Sequence, residues 1–313
     1  MHSVARQADS GVEHLVLDGC SRDDTAAVAA RFPHAQLVVR ADEGSHDAMN
    51  HGVRAASGDI ICFVNSDDVL LDGAIAQARE LFGRNPNLML AHGRAGFYEA
   101  DAARRFRFAR ALQLPRGDDL LRTILFGVPC LNAWFFRRTL FARLVFDITF
   151  AISADRRFLA AAIHGQEIGR IDAPVYAYRV HGGSGTMARR PAVTADIARE
   201  HIQMARLLRQ ESAATDPRHA LAADLLAFEH ARLAKAEWER GDRSAAAEAV
   251  RAGLASSLDW PLRLARIIRL RRRLLAEATV GGEGFPGELP GWTDDLANRC
   301  DASMPSTNDR PSP

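Results

Sequence analysis

Two adjacent carboxylates, Asp67 and Asp68, close the stretch GDIICFVNSDD. They follow an apolar run, residues 60–64, with the character of a strand buried on both faces of a parallel sheet. Acids at the carboxyl end of such a strand stand where open α/β sheets bind ligands. Hard divalent cations that bridge diphosphates need carboxylate oxygens at such a place. The chemistry open to this stretch is therefore to hold a metal and a nucleoside diphosphate. Asp and Ser after a strand also serve as turn and cap residues, because their side chains satisfy free backbone N–H groups. That plainer role is the alternative for the acid pair taken alone.

The elements that must position these acids follow from hydrophobic pattern and turn residues. Residues 12–17 read as a buried strand ending at Asp18-Gly19, and an alanine-rich helix over 26–32 has Asp23 and Asp24 at its start. A strand over 36–40, a helix over 46–56 stopped by Gly58, the acid-bearing strand, a helix over 73–82 and a strand over 88–92 complete an alternation. Strands alternating with helices through short loops predict a parallel α/β sheet. Beyond Gly93 the alternation breaks into short strands at 97–98, 106–109 and 133–136, with a helix over 118–126. Ser153-Ala154-Asp155 leads into an apolar helix, strands follow at 167–171 and 175–179, and His181 opens the glycine-rich loop HGGSGT. Residues 191–280 are almost strand-free and predict helices at 194–212, 217–240, 243–255 and 261–276. The expected units are a sheet domain over 1–190, a helical region over 191–280 and a disordered tail over 281–313, rich in Gly, Pro, Ser, Asp and Asn.

Composition narrows the classes. The chain has 313 residues, 47% hydrophobic and 25% charged, enough for a sizeable core. Its formal net charge of +1 gives no electrostatic case for nucleic acid. Cys20, Cys62, Cys130 and Cys300 make no CxxC pair, which fits a reduced, cytoplasmic compartment. No apolar run approaches the roughly 18 residues of a spanning helix. Residues 262–275 carry six arginines, no acid and an apolar stripe at helical spacing. Such a helix either packs its stripe on the protein or lies on an anionic membrane at the inner face, and packing is the favoured reading.

Together the motifs resemble family 2 glycosyltransferases of the GT-A fold, over about residues 1–185. The resemblance rests on VEHLVLDG with Ser21 and Thr25 (a DGxSxDxT pattern), on DEGSHDAMNHG from Asp42 to Gly52, on Ser57-Gly58-Asp59 and on NSDD. It implies a mostly parallel sheet flanked by helices, with the helical region appended. It implies metal-dependent, inverting transfer of a sugar from a nucleotide-sugar to a glycan or lipid-linked acceptor, in cell-surface polysaccharide synthesis. By the same resemblance Asp18 and Ser21 contact the base or ribose, and Asp47 and Asn50 lie along the donor, with helix packing the alternative for Asn50. Asp67 contacts ribose or sugar, Asp68 ligates Mg²⁺ or Mn²⁺, His181 closes over the diphosphate, and Asp155 is the catalytic base, with helix capping as its alternative. Inverting transfer needs one carboxylate to take a proton from the acceptor hydroxyl and a cation to neutralise the leaving diphosphate. The resemblance also places a strand ahead of residues 3–8 that the chain does not supply, read here as a late start or a truncated gene. A truncated, non-catalytic relative acting as a nucleotide-sugar-binding or scaffold protein is the competing expectation.

Overall fold

The computed structural model describes residues 1–101, 105–181, 190–256 and 259–289. The first half runs α1 (His2–Ala5), β1 (His14–Asp18), α2 (Thr25–Ala29), β2 (Ala35–Val39), α3 (Ser45–Ala55), β3 (Ile60–Cys62), β4 (Val69–Leu70), α4 (Ala74–Arg84) and β5 (Leu90–Ala100). There follow β6 (Phe106–Leu112), α5 (Asp118–Phe126), β7 (Trp134–Arg137), α6 (Ala154–Ala162) and β8 (Ile168–Val180). The helical region is α7 (Pro191–Glu211), α8 (Pro217–Glu239), α9 (Arg243–Ser256) and α10 (Trp260–Ala278), closed by β9 (Thr279–Val280). Proline in the first turn of α7, α8 and α10 costs no hydrogen bond there and presets the helical φ.

The long strand β5 is the spine. Along one edge it pairs with β7 through Leu90–His92 and then with β6 through Ala95–Ala100, both antiparallel, while β8 runs parallel along the other edge. β3 joins through β7, β4 through β8 and β9 through β6, all antiparallel. β1 and β2 form a parallel pair of their own. The result is a GT-A-like α/β sheet flanked by helices, with more antiparallel pairing than helix-strand alternation suggests, because β6 pairs back on β5 with no described helix between them and β7 runs antiparallel to both β3 and β5. The expected strands at 167–171 and 175–179 are one strand, with the ladder shifting register around the Arg94–Pro174 pair. Proline cannot donate to a ladder, so the strand bends there without ending.

Alternation along the strands divides the core in two. Leu90, Trp134 and Phe136 face a core shared with α5, α6, α7, α8 and α10, while Ala91 and Phe135 face α4 and α1. Phe136, Phe141, Phe146 and Phe158 stack and cross edge to face within the first core, beside Phe63 of the acid-bearing stretch. The helical region and the sheet therefore share one continuous core. Gly253 of α9 is required by this packing, because an added Cβ would lie 2.7 Å from the buried Trp260 ring.

One feature differs from expectation, and one follows the favoured reading. Residues 281–289, read by composition as tail, lie along β6: Leu289 is buried and its N–H donates to the Phe106 carbonyl, and Phe285 packs on Phe108. Two apolar anchors outweigh a flexible composition. Residues 290–313 lie outside the described residues. On α10, Trp260, Ile267, Leu274 and Ala278 are buried, while Arg263 and Arg266 pair with Asp224, Arg271 donates to the Phe126 carbonyl and Arg273 pairs with Asp119. The stripe packs on the protein, and four of the arginines bind it too.

Candidate active site

The segment after β3 turns sharply, with Asp68 N–H donating to the Asn65 carbonyl, and carries the acid pair under β8. Asp68 is buried. Its Oδ2 accepts from Asn65 Nδ2 at 3.1 Å and from the Tyr176 hydroxyl at 3.0 Å, and its Oδ1 accepts from the Arg179 N–H at 2.8 Å. Burial, then the neighbouring Asp67 charge, push its carboxyl up to about 7, against the pull of those three donors. Asp67 is more open: its side chain is 32% exposed, and its Oδ2 lies 3.1 Å from His181 Nε2. Arg179 Nη1 donates to the Asp67 carbonyl at 2.6 Å, so β8 grips the acid pair with backbone and side chain. The rest of the loop opened by His181, residues 182–189, lies outside the described residues.

A hydrogen-bonded chain leads inward from this pair. Asn65 Oδ1 accepts from Asn132 Nδ2 at 3.2 Å, and Asn132 Oδ1 accepts from the Tyr178 hydroxyl at 2.8 Å. Burial raises Tyr178 well above the ordinary phenol range, and the carboxylates of Asp68 and Asp155 both add to that rise. Tyr178 thus ends the hydrogen-bonded chain that starts at Asp68. Asp155 occupies the first turn of α6 and its Oδ1 accepts from the Arg156 N–H at 2.6 Å. Arg156, buried and lowered to about 10 by desolvation, donates to the carbonyls of Ile124 and Gly127, which bolts α6 to the end of α5.

The remaining sequence candidates lie around β1 and α3. Asp18, buried at the end of β1, accepts from the Ser21 N–H at 3.1 Å, closing the turn that holds the exposed Ser21. Gly19 lies close beside Asp42, so that a Cβ there would meet Asp42 Oδ2 at 2.6 Å. Asp47 reaches back to the Glu43 N–H at 3.2 Å and pairs with His51, as a first-turn acid does. Asn50 is buried, donates to the Phe146 carbonyl at 2.8 Å and accepts from the Phe146 N–H at 2.9 Å. Its amide braces the segment ahead of α6, in line with the packing alternative.

The residues that sequence reasoning missed are Asn132, Tyr176, Tyr178 and Arg179. Signals existed: Asn132 is a polar interruption in LNAWFF, and Tyr176 and Tyr178 alternate along one face of YAYR.

Among the described residues no group of three or more His, Cys, Asp or Glu side chains is arranged to hold a metal ion. The donor set nonetheless suits a cation held chiefly by a ligand's phosphates, since Mg²⁺ sites commonly use one or two carboxylates plus substrate oxygens. Asp67 offers the open carboxylate and Asp68 a second one already engaged by three protein donors.

The helix-flanked sheet, with the acid pair at its ligand edge, is GT-A-like in fold. The N-terminal part of the chain matches the model of glycosyl transferase family 2 over residues 1–144. A PGL/p-HBAD biosynthesis glycosyltransferase of Mycobacterium bovis is 29% identical over 165 residues, covering 50% of this chain and 60% of that protein. An uncharacterized glycosyltransferase of Mycobacterium tuberculosis is 32% identical over 169 residues, covering 51% and 61%. The chain thus spans about three fifths of the length of these relatives. Among solved structures, S. aureus TarS 1-349 in complex with UDP-GlcNAc aligns with a TM-score of 0.53 at 16% identity, over 88% of this chain and 86% of that one. No described helix is long and apolar enough to cross a membrane.

Proposed function

We propose that this chain is a metal-dependent inverting glycosyltransferase, moving a sugar from a nucleotide-sugar to the hydroxyl of a glycan or lipid-linked acceptor in cell-surface polysaccharide synthesis. The observation that carries the reading is the Asp67–Asp68 pair held by β8 with Asp67 still partly open, alongside Asp155 on the first turn of α6. One site suits the leaving diphosphate, the other an acceptor proton. Asp155 takes that proton as the acceptor oxygen bonds to the anomeric carbon and the bond to the diphosphate oxygen breaks. Asp18 and Ser21 contact the nucleoside, and His181 and Arg179 stand beside the diphosphate. Mg²⁺ or Mn²⁺, held at Asp67 and Asp68, would supply charge neutralisation for the leaving group. A relative named for a biosynthetic glycosyl transfer and a fold neighbour that binds UDP-GlcNAc support the reaction class and the donor class. Contact of residues 262–275 with an inner membrane face has less support, since four of their arginines are engaged within the protein.

Thermal unfolding with UDP or GDP, each with and without Mn²⁺, tests the reading. Ligand at a hundred times its dissociation constant stabilises a native site by about 2.7 kcal/mol. Cation-dependent stabilisation by one nucleotide is expected. A cooperatively unfolding chain that responds to neither nucleotide would favour the non-catalytic scaffold instead.

A further inference from the structure

Helix α6 starts without a cap of its own. Ser153 stands at the N-cap position, yet its side chain makes no capping bond, and its buried hydroxyl has no hydrogen-bond partner among the described residues. The N–H groups of Ile152 and Ser153, just ahead of the helix, are satisfied from another part of the chain. Glu200, on α7 in the helical region, accepts from the Ser153 N–H at 2.8 Å and from the Ile152 N–H at 3.1 Å with each carboxylate oxygen. From the other side α3 holds the segment ahead of α6, its Asn50 amide bonding the Phe146 backbone and its His46 ring packing on the Phe146 ring. The approach to α6 is thus held by α3 and α7 directly ahead of Asp155.

From this geometry we propose that Glu200 is a positioning residue for Asp155, setting the first turn of α6 so that the Asp155 carboxylate meets the acceptor hydroxyl. The inference rests on the reading of Asp155 as the base. It gives the helical region a share in the reaction beyond packing. A carboxylate suits the task, because two oxygens accept from successive N–H groups and the anion complements the positive end of the α6 dipole. Aspartate is one methylene too short to reach from the same backbone position, and alanine leaves the N–H groups unpaired.

The test measures nucleoside diphosphate release by the full chain from UDP-GlcNAc, UDP-glucose and GDP-mannose with Mn²⁺, for the parent and for E200A, E200D, E200Q and D155N. A small displacement of a reacting group costs on the order of 100-fold, so E200A is expected to lose about that in kcat with the donor KM held within about twofold. E200D, charged but short, is expected to fall about tenfold, and E200Q, whose amide oxygen still accepts from Ser153, to recover about tenfold over E200A. A purely structural role would instead lower melting temperature and donor affinity together. If E200A does not fold, E200D decides, and E200D at the parental kcat overturns the proposal. Collapse of D155N with unchanged E200A and E200D would remove Glu200 alone. D155N at the parental rate, or a parent that releases diphosphate from none of the donors, would remove the base reading and the positioning role with it.

Discussion

Asp68 and Asp155 are held in different ways. Asp68 is fixed within the sheet domain, by a side chain three residues before it and by two residues of β8. The turn that carries Asp155 is fixed between elements, by Asn50 and His46 of α3 and by Glu200 of α7. The first arrangement is buried and lies within one domain. The second is assembled from parts that the helical region completes. If the proposed roles hold, the first should weigh more on stability and the second more on rate.

The comparison breaks first at Asp155. Asp155→Asn is expected to lower the rate of transfer about 1,000-fold, the middle of the range for removing a general base. Stabilisation by nucleotide should be unchanged, because the acid pair is untouched. A parallel loss of nucleotide binding, read by calorimetric titration, would mean that the two sites are one.

Asp68→Ala should act in the reverse sense. It strands the Tyr176 hydroxyl, the Asn65 amide and the Arg179 N–H in a buried place. Leaving buried donors unpaired costs about 3 kcal/mol in all, readable as a lower urea midpoint. Stability equal to the parent would show that Asp68 is no part of the framework.

Acidity offers a finer probe of the same carboxyl. Its value is raised from 3.8 in the unfolded chain to about 7 in the fold. Between those values the native state binds a proton that the unfolded state has released, so this group's contribution is fully present below about pH 4 and is lost as pH rises through 7. In cation-free protein, urea stability should therefore show a downward slope over that window, and Asp68→Asn should flatten it. An unchanged slope in the variant would assign it to other groups.

How much of this could be read from the chain follows the same division. The SDD turn and the apolar strand before it are neighbours in sequence, so period and residue type exposed them together. The partners that fix Asp68 come from β8, 108 residues away for Tyr176, and the cap on α6 comes from 47 residues away. Alternation and helical period report which face a residue occupies, never which distant face it meets. Asn50 shows the limit: its place in a donor-like motif suggested a ligand, and only the Phe146 backbone, 96 residues on, shows a brace. The order of residues 281–289 was hidden likewise, since Phe285 and Leu289 find Phe108 and Phe106 only in three dimensions.

The smallest effect on stability is expected at Asp67, and it sharpens the comparison most. Its neighbour is buried under three donors, whereas Asp67 is a third exposed and pairs with His181 at 3.1 Å. Exposed ion pairs contribute about 0–1 kcal/mol, so Asp67→Asn should leave the urea midpoint nearly where it was. The charge it removes nevertheless faces the place where a diphosphate and its cation would lie. The variant should therefore fold like the parent and lose most of the Mn²⁺-dependent part of nucleotide stabilisation, measured by melting with UDP and GDP. If it keeps that part, the cation is held by Asp68, which must then exchange a bond to Asn65 or Tyr176 for it. In that event the two carboxylates trade roles, and the buried network becomes part of the metal site.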